Sequence, residues 1–274
     1  MQEILITLAL LSTSILANAS TLFYSATFDS AVINEDNSLT EGQITFPFAQ
    51  NGSWNNPVLF AAGSYSGLSL SNSVPATTTS PGPDGKTTDR SEYHWVESSD
   101  VNSPQFNQDE KFFGFNFKIV SAGSQPPVNG GVICVQFWQG SPLAPPVWMD
   151  VKAPNAQGQW PNRIWMQNDQ TGQMTGDPSI KVYGGTIVAD TWYRYVIGVE
   201  PGYNNNGRID CWINGQLVGS YTGNVGYLPQ SLGGVAGALN GMMVKGGVYR
   251  SRINPPFSDA FDNIAFSDSY NLSK

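Results

Sequence analysis

The chain has 274 residues, a formal net charge of −8, 12% aromatic residues, 29 Gly and 18 Pro. With no basic stripe to neutralise phosphates, that charge excludes a nucleic-acid partner, and an acidic ligand must meet a local basic patch. One His and two distant Cys cannot assemble a zinc site.

Ile4 to Leu16 is an apolar run of signal-peptide length, well short of the ~20 residues of a membrane span. It ends in Ala17-Asn18-Ala19, a small-x-small cleavage site, so residues 1–19 read as a leader and the mature chain starts at Ser20. Against this, the leader holds Glu3 and no Lys or Arg; the competing reading is a buried N-terminal strand or helix. No other stretch is apolar enough to span a bilayer. The expectation is a secreted protein without a membrane anchor, with residues 20–274 as a single domain.

Residues 71–89, SNSVPATTTSPGPDGKTTD, have the composition of a linker. Strand-like segments on both sides favour a long surface loop beside a cleft. Short alternating or wholly apolar runs follow, punctuated by turn residues. They are Ser91–Val96, Phe112–Val120, Gly131–Trp138, Val147–Val151, Arg163–Gln167, Ile180–Tyr183, Trp192–Glu200, Arg208–Ile213, Gln216–Tyr221, Met242–Arg252 and Phe261–Phe266. Asn214-Gly215 signals a two-residue hairpin, and Asn204-Asn205-Asn206-Gly207 a second turn. So many strands with short connections predict an all-β, two-sheet antiparallel sandwich of jelly-roll type with a concave cleft. Cys134 and Cys211 fall in strands; whether they pair depends on strand adjacency. Asn51-Gly-Ser53 and Asn271-Leu-Ser273 match glycan acceptor sites.

Period-two geometry sorts three strands into faces. Arg90, Glu92 and His94 share one face, with Tyr93 and Trp95 behind them. Gln136 and Trp138 share a face opposite Val135 and Phe137, and Lys245, Gly247 and Tyr249 one opposite Val244 and Val248. On one concave sheet these faces form a polar, aromatic cleft; on separate surfaces they are only solvated. Trp148, Trp160 and Trp165 read equally as subsite aromatics or as packing.

The ordered set Arg90-x-Glu92, Gln136-Phe137-Trp138 and Lys245-x-Gly247-x-Tyr249 resembles the signature blocks of jelly-roll polysaccharide lyases. Alginate lyases carry Gln-aliphatic-His in the second block, and here that histidine is missing. Its counterpart, His94, closes the first block instead, an arrangement closer to the glucuronan lyases, polysaccharide lyase family 20. The resemblance implies β-elimination on an acidic polysaccharide by a monomer. Gln136 would donate to the substrate carboxylate, Arg90 or His94 would supply positive charge, and Tyr249 would serve as base and acid. The phenol needs cations nearby to give up its proton, for which Lys245, Arg90 and Arg250 are available. His94 as base with Tyr249 as acid remains the alternative. Trp138, Lys245, Glu92 and Arg250 are the expected substrate contacts. Ala26-Thr27-Phe28-Asp29 and Phe261-Asp262-Asn263-Ile264 resemble terminal strands that hold a structural calcium, with Asp29 and Asp262 as ligands or else as plain turn carboxylates. The elimination itself requires no cofactor.

Three rivals share the fold. A glycoside hydrolase needs two carboxylates flanking the bond, and no paired Glu strand is present. A carbohydrate-binding jelly roll would use the cleft without Tyr249 or His94. An alginate lyase would be expected to carry the second-block histidine.

Overall fold

The stretch Lys111–Ile119 shows why this chain builds sheets. Phe113, Phe115, Phe117 and Ile119 occupy every second position and are wholly buried, while Gly114, Asn116 and Lys118 face the other way. The computed structural model describes residues 20–51, 58–60, 68–77, 87–96, 109–128, 130–141, 143–167 and 179–274. The leader expected at residues 1–19 lies outside them.

In chain order the strands are β1 (Leu22–Ala26), β2 (Val32–Ile33), β3 (Leu39–Glu41), β4 (Ile44–Phe46), β5 (Phe48–Asn51), β6 (Val58–Phe60), β7 (Ser69–Val74), β8 (Thr88–Val96) and β9 (Lys111–Ile119). They continue as β10 (Val132–Trp138), β11 (Val147–Val151), β12 (Gln159–Met166), β13 (Ile180–Val188), β14 (Tyr193–Glu200), β15 (Gly202–Ile213), β16 (Gln216–Val225), β17 (Met243–Ser251) and β18 (Phe257–Ser267). One helical turn, α1 (Tyr270–Ser273), ends the chain.

Two large antiparallel sheets result, as expected for a jelly roll. The first runs β16-β15-β14-β9-β18-β7-β6, with β1 also on β18; the second, which carries the site, runs β13-β12-β11-β10-β17-β8-β5. A small β2-β3-β4 sheet stands apart. The space between the large sheets is filled by Phe113, Phe115, Phe117, Tyr195 and Phe261 from one side and Tyr93, Trp95, Val135, Phe137, Val244 and Val248 from the other. Phe113 meets Phe137 across the layer at 6.4 Å, edge to face. Each wholly buried side chain of this kind contributes roughly 1.5–3 kcal/mol, which is what clamps the second sheet in place. Polar links also tie the sheets together, Tyr195 Oη donating to Asn162 Oδ1 at 2.9 Å and Tyr24 Oη donating to the Trp95 carbonyl at 2.5 Å.

Several expectations change in detail. Asn214 and Gly215 do form the two-residue turn between β15 and β16, both at positive φ. Asn204–Gly207, expected to be a second turn, is an irregularity inside β15, where the pairing with β16 shifts between Gly202 and Gly207. The stretch 71–89 is a connection with strand at both ends: residues 71–74 belong to β7 and 88–89 to β8. Residues 78–86 lie outside the described ones. Because β5 pairs with β8 and β6 with β7, chain from before and after this stretch shares the same sheets, which is not how a linker behaves. Cys134 lies on β10 and Cys211 on β15, in different sheets, and both are buried free thiols. Trp160 is core, packed on Phe257.

Candidate active site

The outer face of the second sheet is built from five adjacent strands, and register decides which side chains meet. Across β8, β17, β10, β11 and β12, Arg90, Tyr249, Ile133, Asp150 and Arg163 are paired in one row. His94, Lys245, Gln136, Trp148 and Trp165 form the parallel row beside it. Strict alternation would have turned Ile133 inward with Val135. A register shift at Cys134 instead sends Cys134 and Val135 both into the core and leaves Ile133 opposite Tyr249. The matching irregularity on β17 is Gly247, at φ +133, where a Cβ would lie 2.2 Å from the Ser91 carbonyl oxygen. Only glycine fits there.

The middle of these rows lines a cleft of about 750 Å³ whose walls include Arg90, Ile133, Gln136, Trp138, Lys245 and Tyr249. One side is apolar, formed by Leu143, Ala144 and Pro145. Trp138 is pinned to that side by its Nε1–H, which donates to the Leu143 carbonyl at 2.7 Å. The Lys245 ammonium sits 3.7 Å from the centre of the Trp138 ring, which holds a nearly buried cation in place without neutralising it.

At the centre, Gln136 Nε2 donates to Glu92 Oε1 at 2.5 Å, and Arg90 Nε lies 2.9 Å from Glu92 Oε2. The Arg90 guanidinium in turn covers the Tyr249 ring at 4.6 Å. One wholly buried carboxylate thus orients both an amide and a guanidinium, and the guanidinium lies against the phenol. An amide nitrogen has two N–H groups, so the bond to Glu92 leaves Gln136 a second donor in a fixed direction.

A family model described as polysaccharide lyase matches residues 64–271. The chain belongs to this polysaccharide lyase family. No curated protein matches this lyase in sequence. Among solved structures it is similar to the endo-β-1,4-glucuronan lyase of the fungus Trichoderma reesei, at 16% identity over 92% of this chain and 98% of that one, TM-score 0.55. It is also similar to the alginate lyase of Klebsiella pneumoniae, at 12% identity over 80% and 87% of the two chains, TM-score 0.52. A third is an alginate lyase in complex with an alginate tetrasaccharide, at 13% identity over 78% and 85%, TM-score 0.51.

In this lyase, Arg90, Gln136, Trp138, Lys245 and Tyr249 all reach one cleft. His94 is in register with Lys245 on the same row, half-buried, but is not part of the cleft lining. Two expected substrate contacts have buried side chains, Arg250 while bordering the cleft. Glu92 has no exposure, and both its oxygens face protein groups, so it supports Gln136 and Arg90 from behind. A carboxylate in direct contact with an acidic sugar would also repel it. The Arg250 side chain is wholly buried, 3.6 Å from Asp89 Oδ2, and donates to the carbonyls of Pro75, at 2.6 Å, and Pro255. Burial lowers its pKa and Asp89 raises it again, the balance of a structural ion pair.

The two carboxylates expected to join backbone oxygens around a calcium stand in different surroundings. Asp29 is exposed and accepts from the Leu68 N–H, while Asp262 is buried and accepts from the Asn263 N–H. No group of three His, Cys, Asp or Glu side chains that could hold a metal occurs among the described residues. The two strands are nonetheless neighbours, with Ala26 paired to Ile264.

One residue, Asp150, escapes the sequence reading, which leaves the arrangement of two tryptophans open. Asp150 lines the cleft and takes a bidentate contact from Arg163, at 2.9 and 2.5 Å. Trp148 and Trp165 stack with ring centres 6.4 Å apart. The alternation in Val147–Val151 and Arg163–Met166 held the signal, because both strands place polar or indole groups between buried aliphatic ones.

Proposed function

We propose that this lyase is secreted and cleaves a β-1,4-linked glucuronate polymer by β-elimination. The observation that supports this best is the connected set Gln136–Glu92–Arg90–Tyr249. A uronate H5 is weakly acidic, and its removal builds charge on the neighbouring carboxylate. The second N–H of Gln136, with Arg90 and Lys245 nearby, would receive that charge. In a glucuronate residue H5 and O4 lie on one side of the ring, so one group can serve both transfers. The Tyr249 phenolate takes H5, the C4–O4 bond breaks as the C4–C5 double bond forms, and the phenol returns the proton to O4. Tyr249 lines the cleft under Arg90 and is taken as the base, with His94, beside Lys245, as the alternative.

Among the described residues, hydrolysis finds no support in the cleft. Glu92 and Asp150 are both buried and ion-paired, neither poised to protonate a leaving group nor to activate water. The absence of Gln-x-His at Gln136-Phe137-Trp138 favours glucuronan over alginate.

The test is incubation of the mature protein with glucuronan, alginate and a neutral β-glucan, followed by ultraviolet absorbance of unsaturated uronates. A rise on glucuronan is expected. A rise on alginate alone would correct the substrate, and no rise on either uronate would leave a carbohydrate-binding jelly roll.

A further inference from the structure

Beyond the reactive centre, the cleft sheet continues through β11 and β12 to β13. The row holding Gln136 passes to Trp148, Trp165 and Lys181, and the row holding Tyr249 passes to Asp150, Arg163 and Gly184. The two indoles are half-buried and stacked, nearly parallel at 21°, on the face that carries the cleft. Arg163 lies 4.9 Å over the Trp165 ring while its other edge grips Asp150. Trp165 Nε1–H also donates to Asp150, at 3.2 Å. Asp150 therefore fixes both the guanidinium and the indole.

Among the described residues the charges here do not cancel. Lys152 stands 3.9 Å from Asp150, and burial lowers its pKa with Arg163 adding to the effect, against the pull of Asp150. The Lys181 side chain lies on the same face beside Arg163, since a Cβ on Gly184 would sit 3.1 Å from its Cδ. Two cations thus contact one carboxylate, with Lys181 on the neighbouring strand, on a chain whose net charge is −8. Such a local reversal attracts an anion to a surface that otherwise repels it. Flat indole faces offer the apolar side of a pyranose ring a platform.

Strands lie about 4.8 Å apart, close to the length of one 4-linked pyranose residue, so a polymer crossing the strands advances roughly one sugar per strand. β12 is three strands from β17, about 14 Å from Tyr249 by that spacing. We propose that Trp148 and Trp165, with Arg163 and Lys152 held by Asp150 and Lys181 on the adjoining strand, form a distal subsite for an acidic sugar some three residues from the one over Tyr249. The inference rests on the proposed polyuronate substrate and adds to it a minimum length and a charge requirement far from the chemistry.

The test uses the full mature chain carrying Tyr249→Phe, so that ligand survives the measurement. Calorimetry and indole fluorescence report binding of β-1,4-glucuronate trisaccharide and hexasaccharide, and of a neutral β-1,4-glucose hexasaccharide. The uronate hexasaccharide should bind at least about tenfold tighter than both the trisaccharide and the neutral hexasaccharide. Trp165→Ala and, separately, Lys181→Ala should shrink the hexasaccharide advantage over the trisaccharide. Lys181 is exposed, so its substitution tests the subsite without a folding cost. An unchanged advantage in both variants, equal binding of the neutral hexasaccharide, or no binding of either uronate overturns the subsite. Product formation by the protein with Tyr249 intact judges the lyase reading separately. A shrinking advantage without product supports the subsite in a binding protein; product with an unchanged advantage removes the subsite alone.

Discussion

Gln136 donates an amide N–H to Glu92 across 2.5 Å, at a point on the sheet that is almost wholly buried. Glu92 stands on β8 and Gln136 on β10, with β17 between them, so this bond spans a strand and ties the three signature segments together. Glu92→Gln removes the charge that aligns Arg90 and frees the Gln136 amide to rotate. We expect kcat to fall by about 10²-fold, as for other losses of positioning, with a smaller change in KM. Steady-state kinetics on glucuronan beside a thermal melt checks this. A variant with an unaltered kcat would show that the carboxylate has no positioning role.

Tyr249→Phe deletes one oxygen and leaves the ring under Arg90. Turnover should drop by about 10²–10⁴-fold, the range for loss of a proton-transfer group, while polymer affinity stays within a few-fold. Ultraviolet product assays and gel-shift binding to the polymer separate the two. Retained turnover would pass the role to His94.

Asp259 points into the layer between the sheets with no exposure. One of its oxygens receives Asn72 Nδ2 at 3.4 Å, and the other has no hydrogen-bond partner. Burial raises its pKa well above the ordinary carboxylate range, Asn72 opposing and Glu92 adding to the rise. A raised acid contributes stability that is fully present below its unfolded pKa and is lost as pH climbs toward the folded one. Asp259→Asn should therefore stabilise the protein at neutral pH and flatten the slope, by at most about 1.4 kcal/mol per pH unit. Thermal melts of both proteins from mildly acidic to neutral pH decide it. An equal slope in both would exclude Asp259 as its source.

Cys134 and Cys211 are buried thiols on different sheets, and burial pushes both pKa values up. Native protein should resist thiol reagents, then take up label at both sites once unfolded, and its melting temperature should not respond to reductant. Rapid labelling of the folded chain, or a reductant-sensitive melt, would contradict this arrangement.

The pattern of alternate residues was enough to sort side chains into faces. Arg90 separated from Tyr93, Gln136 from Phe137 and Tyr249 from Val248 because successive residues of a strand point to opposite sides wherever the strand lies. Charge and composition likewise announced an acidic chain whose cations, to matter, had to be gathered locally. What only the tertiary structure decided was adjacency and depth. Tyr249 meets Arg90 and Ile133, distant in sequence, because β17 inserts between β8 and β10. The irregularity at Cys134 overrode alternation and brought Ile133 to the cleft, since a register shift depends on both partner strands. Glu92 and Arg250 look like ligands in the sequence because charge usually faces water. In the fold, each is buried against partners from other segments, and burial is a property of the whole sandwich rather than of any one strand.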